Sequence, residues 1–202
     1  MRKSIIAILM TFCLSIMTYA QTPRDRATEL KEQAQSSLNQ KDYIKARYLF
    51  KKAYEAFATR ENYPQAIECG VQANALYVRE NFYKEGFELC RDMDQLIWAG
   101  EQNQKKVFYD LRFLVNKERL QMYTALKNPA QAKTQLNKLE ETANLAKNDS
   151  LTEVLLYTKA NYYYTFNQNA QGDACFRKLI NQYKEKKDYA KVNDCYKNLI
   201  GI

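Results

Sequence analysis

Glycine and proline punctuate secondary structure, and this 202-residue chain holds only five of the first and three of the second. An all-β domain of such length needs many tight turns, most of them built on those two residues. Long helices joined by short connections need neither, so the scarcity points to an all-α fold. Helical periodicity divides the chain into about nine helices, near 24–39, 43–59, 63–80, 83–98, 103–126, 129–147, 150–167, 170–186 and 188–200. Pro23, Pro64 and Pro129 each fall where a helix would begin, the place where a missing N–H costs nothing. Asp42 and Asp188 stand at N-cap positions, and Asn128 precedes Pro129 in the same role. No linker or change of composition interrupts residues 21–202, which read as a single domain.

Composition also removes whole classes of chemistry. The chain has no histidine, which excludes Ser-His-Asp and Cys-His catalysis, imidazole metal sites and an imidazole pH switch. Five glycines furnish no phosphate-binding loop, and no nucleophile-elbow motif is present. Acidic residues are plentiful, but no pair stands out as an acid/base couple. The expectation is therefore no enzyme and no cofactor. Cys69, Cys90, Cys175 and Cys195 lie at spacings of 21 and 20 within their pairs, far from any zinc-ligand pattern, so no metal is expected either. Each pair sits symmetrically about an expected turn, near Glu80 and near Glu185. Cys69–Cys90 and Cys175–Cys195 are candidate disulfides in an oxidising compartment, with small buried hydrophobes as the alternative.

The first twenty residues carry an address. Met1-Arg2-Lys3 is basic, Ile5 to Met17 is almost wholly apolar, and Thr18-Tyr19-Ala20 puts small residues at −3 and −1 before Gln21. That is the grammar of a secretory signal peptide over residues 1–20, with an apolar run too short for a comfortable membrane span. The expected location is periplasmic or otherwise exported, with no integral membrane span after cleavage. Cleavage removes Arg2 and Lys3 and leaves 29 of the 31 basic residues against 23 acidic ones. The two signs are interspersed, as in Lys184-Glu185-Lys186-Lys187-Asp188, which describes solvated helix faces. No aromatic–basic interleaving suggests nucleic acid.

The helices repeat. Ala46, Gly86, Ala132 and Gly172 each stand four and seven positions before two core-type residues: Phe50 and Ala53, Cys90 and Met93, Leu136 and Leu139, Phe176 and Leu179. The anchors Tyr43, Tyr83, Pro129 and Asn169 are 40, 46 and 40 residues apart. This resembles the tetratricopeptide repeat, a helix-turn-helix unit with a small–x3–aromatic–x2–small pattern in its second helix. In the first helices, Ala34 and Ala160 match the family's small position, and Tyr77, Tyr123 and Tyr163 its tyrosine position. Asn74 and Leu120 depart from it, standing where the family has Gly or Ala.

The resemblance implies a right-handed superhelical array of antiparallel hairpins, a solenoid whose concave face is lined by the first helix of each pair. Such arrays bind partners, so it implies a non-enzymatic periplasmic scaffold for a protein or peptide. Related arrays also form the sensory portions of envelope histidine kinases and helix-turn-helix regulators, the alternative function. The implied groove residues are Lys31 and Gln35 on the first helix, Val71 and Arg79 on the third, Lys117 and Gln121 on the fifth. Tyr157, Asn161 and Tyr164 complete the set on the seventh. Lysines and amides so placed are similar to the family's carboxylate clamps, with Gln in place of most of the Asn, and suit an acidic partner.

Overall fold

A computed structural model describes residues 25–200, with side chains to residue 199. The expected leader over 1–20 and Pro23 lie outside the described residues. Among the described residues nine helices follow one another: α1 (Arg26–Asn39), α2 (Tyr43–Thr59), α3 (Tyr63–Arg79), α4 (Tyr83–Gln104), α5 (Tyr109–Ala125), α6 (Pro129–Ala146), α7 (Asp149–Thr165), α8 (Asn169–Glu185) and α9 (Tyr189–Ile200). There is no strand among the described residues, and no helix among them is long and apolar enough to cross a membrane.

The helices start where the sequence places their caps. Asp42, Asn62 and Asn128 accept from the backbone N–H three residues on, at Lys45, Gln65 and Gln131. Asp188 does the same for Lys191. What ends the helices is less expected. Each of the eight connections holds one residue in the left-handed region: Lys41, Glu61, Asn81, Lys105, Lys127, Lys147, Asn167 and Lys187, with φ between 51° and 63°. None is glycine. In six of the eight, the next N–H returns to the carbonyl five residues back, as from Asp42 to Ser37 (2.9 Å) and from Asp188 to Tyr183 (2.8 Å). This is the 6→1 bond of a Schellman cap. The chain thus repeats one helix and one turn about every 20 residues.

That rhythm breaks once. The sequence suggests that α4 ends at 98 and α5 begins at 103; instead α4 runs 22 residues to Gln104, and α5 begins at Tyr109. Gly100 lies buried inside α4. A Cβ there would come within 3.0 Å of the Tyr63 ring and 2.8 Å of the Phe108 ring, so glycine marks a close approach and not a helix end. Glu101 then ties the connection down. Its Oε1 accepts from the Phe108 N–H (2.8 Å) and from Arg112 Nε (2.7 Å), and its Oε2 also pairs with Arg112.

Each helix packs on the next, and α3 also touches α5, as α5 touches α7. Alternate contacts of this kind put the odd helices in an inner row and the even helices outside. All four small repeat residues, Ala46, Gly86, Ala132 and Gly172, are buried together with the apolar pairs that follow them. The apolar interior runs along the array. It passes from Phe50, Ile67 and Met93 through Phe113, Leu136 and Leu139 to Phe176, Leu179 and Val192. At the far end α9 packs Val192 and Cys195 onto α8, but Tyr189 and Tyr196 stay exposed. The molecule is an all-α helical repeat array.

Candidate functional site

The inner row holds the residues expected to form a groove, and the structure separates them by what they already touch. Lys31 on α1 donates to Gln65 Oε1 (2.8 Å) and pairs with Glu68 Oε2 (2.8 Å), both on α3. Gln35 is exposed, its amide turned along its own helix to Asn39. Val71 is half-buried against the first part of the core. Arg79 lies over the Tyr43 ring, 3.9 Å from its centroid, at the contact between α2 and α3. Lys117 pairs with Glu118 (3.5 Å). The cations expected to grip a carboxylate are engaged within the chain.

The aromatic members of the set are also engaged. Tyr157 meets Phe176 on α8 edge-on at 5.2 Å, and Tyr164 stacks on the same ring at 6.0 Å. The Tyr164 hydroxyl donates to Asp173 (2.8 Å), and its ring fills the space over Gly172. Burial and that carboxylate push the Tyr164 phenol well up from its usual range. Both tyrosines therefore build the α7–α8 hairpin. Tyr157 keeps 39% of its surface exposed.

Two of the expected residues do come together. Gln121 on α5 and Asn161 on α7 line one cleft of about 290 Å³, with Thr124, Ala125 and Lys127 from the α5 end and Thr158 and Thr165 from α7. Leu120 and Tyr162, both buried, belong to the same wall. The threonine hydroxyls of 158 and 165 donate back to their own helix. The amides of Gln121 and Asn161 have no hydrogen-bond partner among the described residues and are exposed. Each amide can donate and accept at once, which is what a peptide group presents in return. The threonines were not singled out from sequence. Their signal is the polar spacing of 158, 161 and 165 on α7 and of 121 and 124 on α5, one open helix face each.

Between α3 and α5 lies a buried polar contact. Asn74 on α3, at a position where a small residue was expected, is fully buried and donates to Glu118 Oε2 on α5 (3.1 Å). Its own Oδ1 has no partner. Glu118 is 2% exposed, and burial raises its pKa against the opposing pull of Lys117 and Asn74.

The four cysteines among the described residues, Cys69, Cys90, Cys175 and Cys195, are free thiols, all buried, in place of the two disulfides considered. The members of each pair face different neighbours. The charges acting on Cys69 are Lys31 and Glu68, whereas those acting on Cys90 are Arg119, Glu118 and Asp94. Lys159, Lys178 and Glu140 act on Cys175, and Asp194 on Cys195. Burial pushes the Cys69 thiol up to about 11 and that of Cys90 up to about 12, far from the range of a reactive thiolate.

No family model matches the chain, and no curated protein or solved structure is found similar to it.

Proposed function

We propose that the chain is an exported, non-enzymatic scaffold of tetratricopeptide type that binds a protein or peptide segment on its inner face. The observation that carries this reading is the α5–α7 cleft, where the Gln121 and Asn161 amides stand exposed and without a partner among the described residues, beside Thr124 and Lys127. An extended polypeptide crossing the odd helices would exchange backbone hydrogen bonds with those amides and rest its side chains on Leu120 and Tyr162. Export follows from the grammar of residues 1–20, and intact mass of protein recovered from the cell envelope would report cleavage after Ala20.

The test is affinity capture from an envelope extract, run in parallel with the wild-type chain and a Gln121→Ala/Asn161→Ala variant. A polypeptide retained by the first and lost from the second, with both giving the same helical circular dichroism, supports the reading. Equal retention by both would place the binding surface elsewhere and overturn it.

A further inference from the structure

A second cleft, of about 630 Å³, has more than twice the volume of the one between α5 and α7. It opens where the connection after α4 meets the start of α3 and the end of α6. This is also where the array departs from its own repeat. The anchors Tyr83 and Pro129 are 46 residues apart, whereas the anchors on either side are 40 apart. The additional residues lengthen α4 to 22, against 17 in α2 and α8, and widen one connection to residues 105–108. Gln104, Lys106, Val107 and Phe108, all from that stretch, line the cleft. Stacking does not need the stretch, since the 40-residue units beside it pack without one. A loop added to a rigid scaffold is where binding residues concentrate.

The walls are set by contacts within the chain. Gly100 lets the Tyr63 and Phe108 rings come to 5.7 Å between centroids. Asn103 donates to the Tyr63 hydroxyl (3.3 Å), and Glu101 holds the Phe108 N–H (2.8 Å). Pro64, Leu111 and Ala146 extend the apolar surface. Small-molecule sites are of this kind, about 300–1,000 Å³ and mostly apolar, with a few polar groups that fix orientation.

Three polar side chains supply that last part. Gln104, Lys106 and Asp110 line the cleft, are exposed, and have no side-chain partner among the described residues. In this they differ from Lys31, Arg79 and Lys117, which the chain itself engages. One free cation, one free anion and one amide beside an apolar wall match a ligand that is apolar, carries both charges and can donate and accept at once. A short peptide with free termini meets all of these. Its ammonium answers Asp110, its carboxylate answers Lys106, and its peptide group answers Gln104.

We propose that this cleft binds a zwitterionic peptide of two or three residues with apolar side chains. A free amino acid would leave Gln104 unanswered, and a ligand of one charge would leave Lys106 or Asp110 so. The site shares no residue with the α5–α7 cleft, and the proposal does not depend on the scaffold reading.

Isothermal titration calorimetry of the purified chain with leucylphenylalanine tests it, beside the N-acetyl dipeptide, the dipeptide amide and free phenylalanine. The dipeptide should bind with a dissociation constant on the order of tens of micromolar, as its roughly twenty non-hydrogen atoms allow. Each blocked form should bind about fivefold more weakly, the upper end for an ion pair open to solvent. Free phenylalanine, with both charges but no peptide group, should also bind more weakly than the dipeptide. Lys106→Gln should abolish the difference between the dipeptide and its amide while keeping that between the dipeptide and its acetyl form. Asp110→Asn should do the converse. Both positions are exposed, and circular dichroism checks that the helices persist. The proposal is overturned by any of three results: no saturable binding of the dipeptide below about 5 mM, blocked forms or phenylalanine binding as tightly as the dipeptide, or variants that leave both differences in place.

Discussion

Each connection between helices in this array is closed by a left-handed residue that is not glycine, and this sets a testable stability deficit. Lys41, Glu61 and Lys187 adopt φ of 63°, 56° and 56°. An L-residue with a Cβ pays about 1–2 kcal/mol in that region. Glycine does not, but it has about 0.5–1 kcal/mol more backbone freedom to lose on folding. The difference leaves a gain of about 0.5–1 kcal/mol for each of Lys41→Gly, Glu61→Gly and Lys187→Gly. These side chains are exposed and hold no ion pair among the described residues, so little is lost in exchange. The sites lie in separate turns, and the three gains should add to about 1.5–3 kcal/mol.

For a chain of this length that corresponds to a rise in Tm of about 3–12 °C, read by circular dichroism at 222 nm. Two controls fix the cause. Asn167→Gly should gain less, because Asn already tolerates the left-handed region. Lys178→Gly, at an exposed interior position of α8, should lose about 1 kcal/mol. The same residue type replaced by the same glycine then changes the sign of its effect with backbone conformation alone. A triple variant that melts below the wild type, alongside Lys178→Gly, would refute the left-handed turns.

Glu118→Gln should raise stability at neutral pH. Burial puts the folded-state pKa of Glu118 above its ordinary value, so the stability linked to its proton is full below the ordinary carboxylate pKa and is lost as pH rises through the folded value. The advantage of Glu118→Gln should therefore shrink on acidification, and a constant offset between the two Tm-versus-pH curves would refute this. Glu101 behaves oppositely: hydrogen bonding to Arg112 lowers its pKa, so its contribution is present above the ordinary value and lost as pH falls through the folded one. Gly172→Ala should cost about 1–3 kcal/mol, since a Cβ would come within 2.7 Å of the Tyr164 ring. Combining it with Tyr164→Leu should recover part of that loss, whereas strict additivity of the two changes in chemical denaturation would count against the contact. In the chain without residues 1–20, a thiol reagent at pH 8 should leave Cys69 and Cys90 unmodified in the native state and find four thiols in the denatured, unreduced one; fewer than four would restore a disulfide.

Much of the fold was legible because its signals are local. Asp42, Asn128 and Asp188 cap the helices they were expected to cap, since an N-cap needs only one side chain and the N–H three residues on. The spacing from Ala46 to Phe50 and Ala53, repeated three times more, describes the buried stripe because a helix face is fixed by 3.6 residues per turn. The left-handed turn positions were not legible. Their usual marks are Gly and Asn, and at Lys41, Glu61, Lys105, Lys127, Lys147 and Lys187 the hairpin geometry overrides residue preference. The end of α4, expected at 98, was not legible either. Its last turn is fixed by packing of Gly100 against Tyr63 and Phe108, the first of them 37 residues away, which a local reading does not see.

The groove was less legible for a related reason, and the reason separates the two faces of the molecule. Periodicity says which side of a helix a lysine occupies, but its partner is set by the register of the next odd helix. Lys31 is paired with Glu68, 37 residues on, and the α3–α5 contact sets Asn74 against Glu118, 44 residues on. What the α5–α7 cleft leaves unpaired is mostly neutral, the Gln121 and Asn161 amides, with Lys127 at its edge. On the outer face the unpaired groups are charged, as with Lys45 and Lys51 against Glu85 and Glu88. Neutral hydrogen bonds are little screened by salt, whereas exposed ion pairs lose most of their attraction within a Debye length of about 8 Å at physiological ionic strength. A partner held mainly by the Gln121 and Asn161 amides should therefore stay bound to the immobilised chain as salt is raised, and elution by moderate salt would place its contacts on the charged outer helices instead.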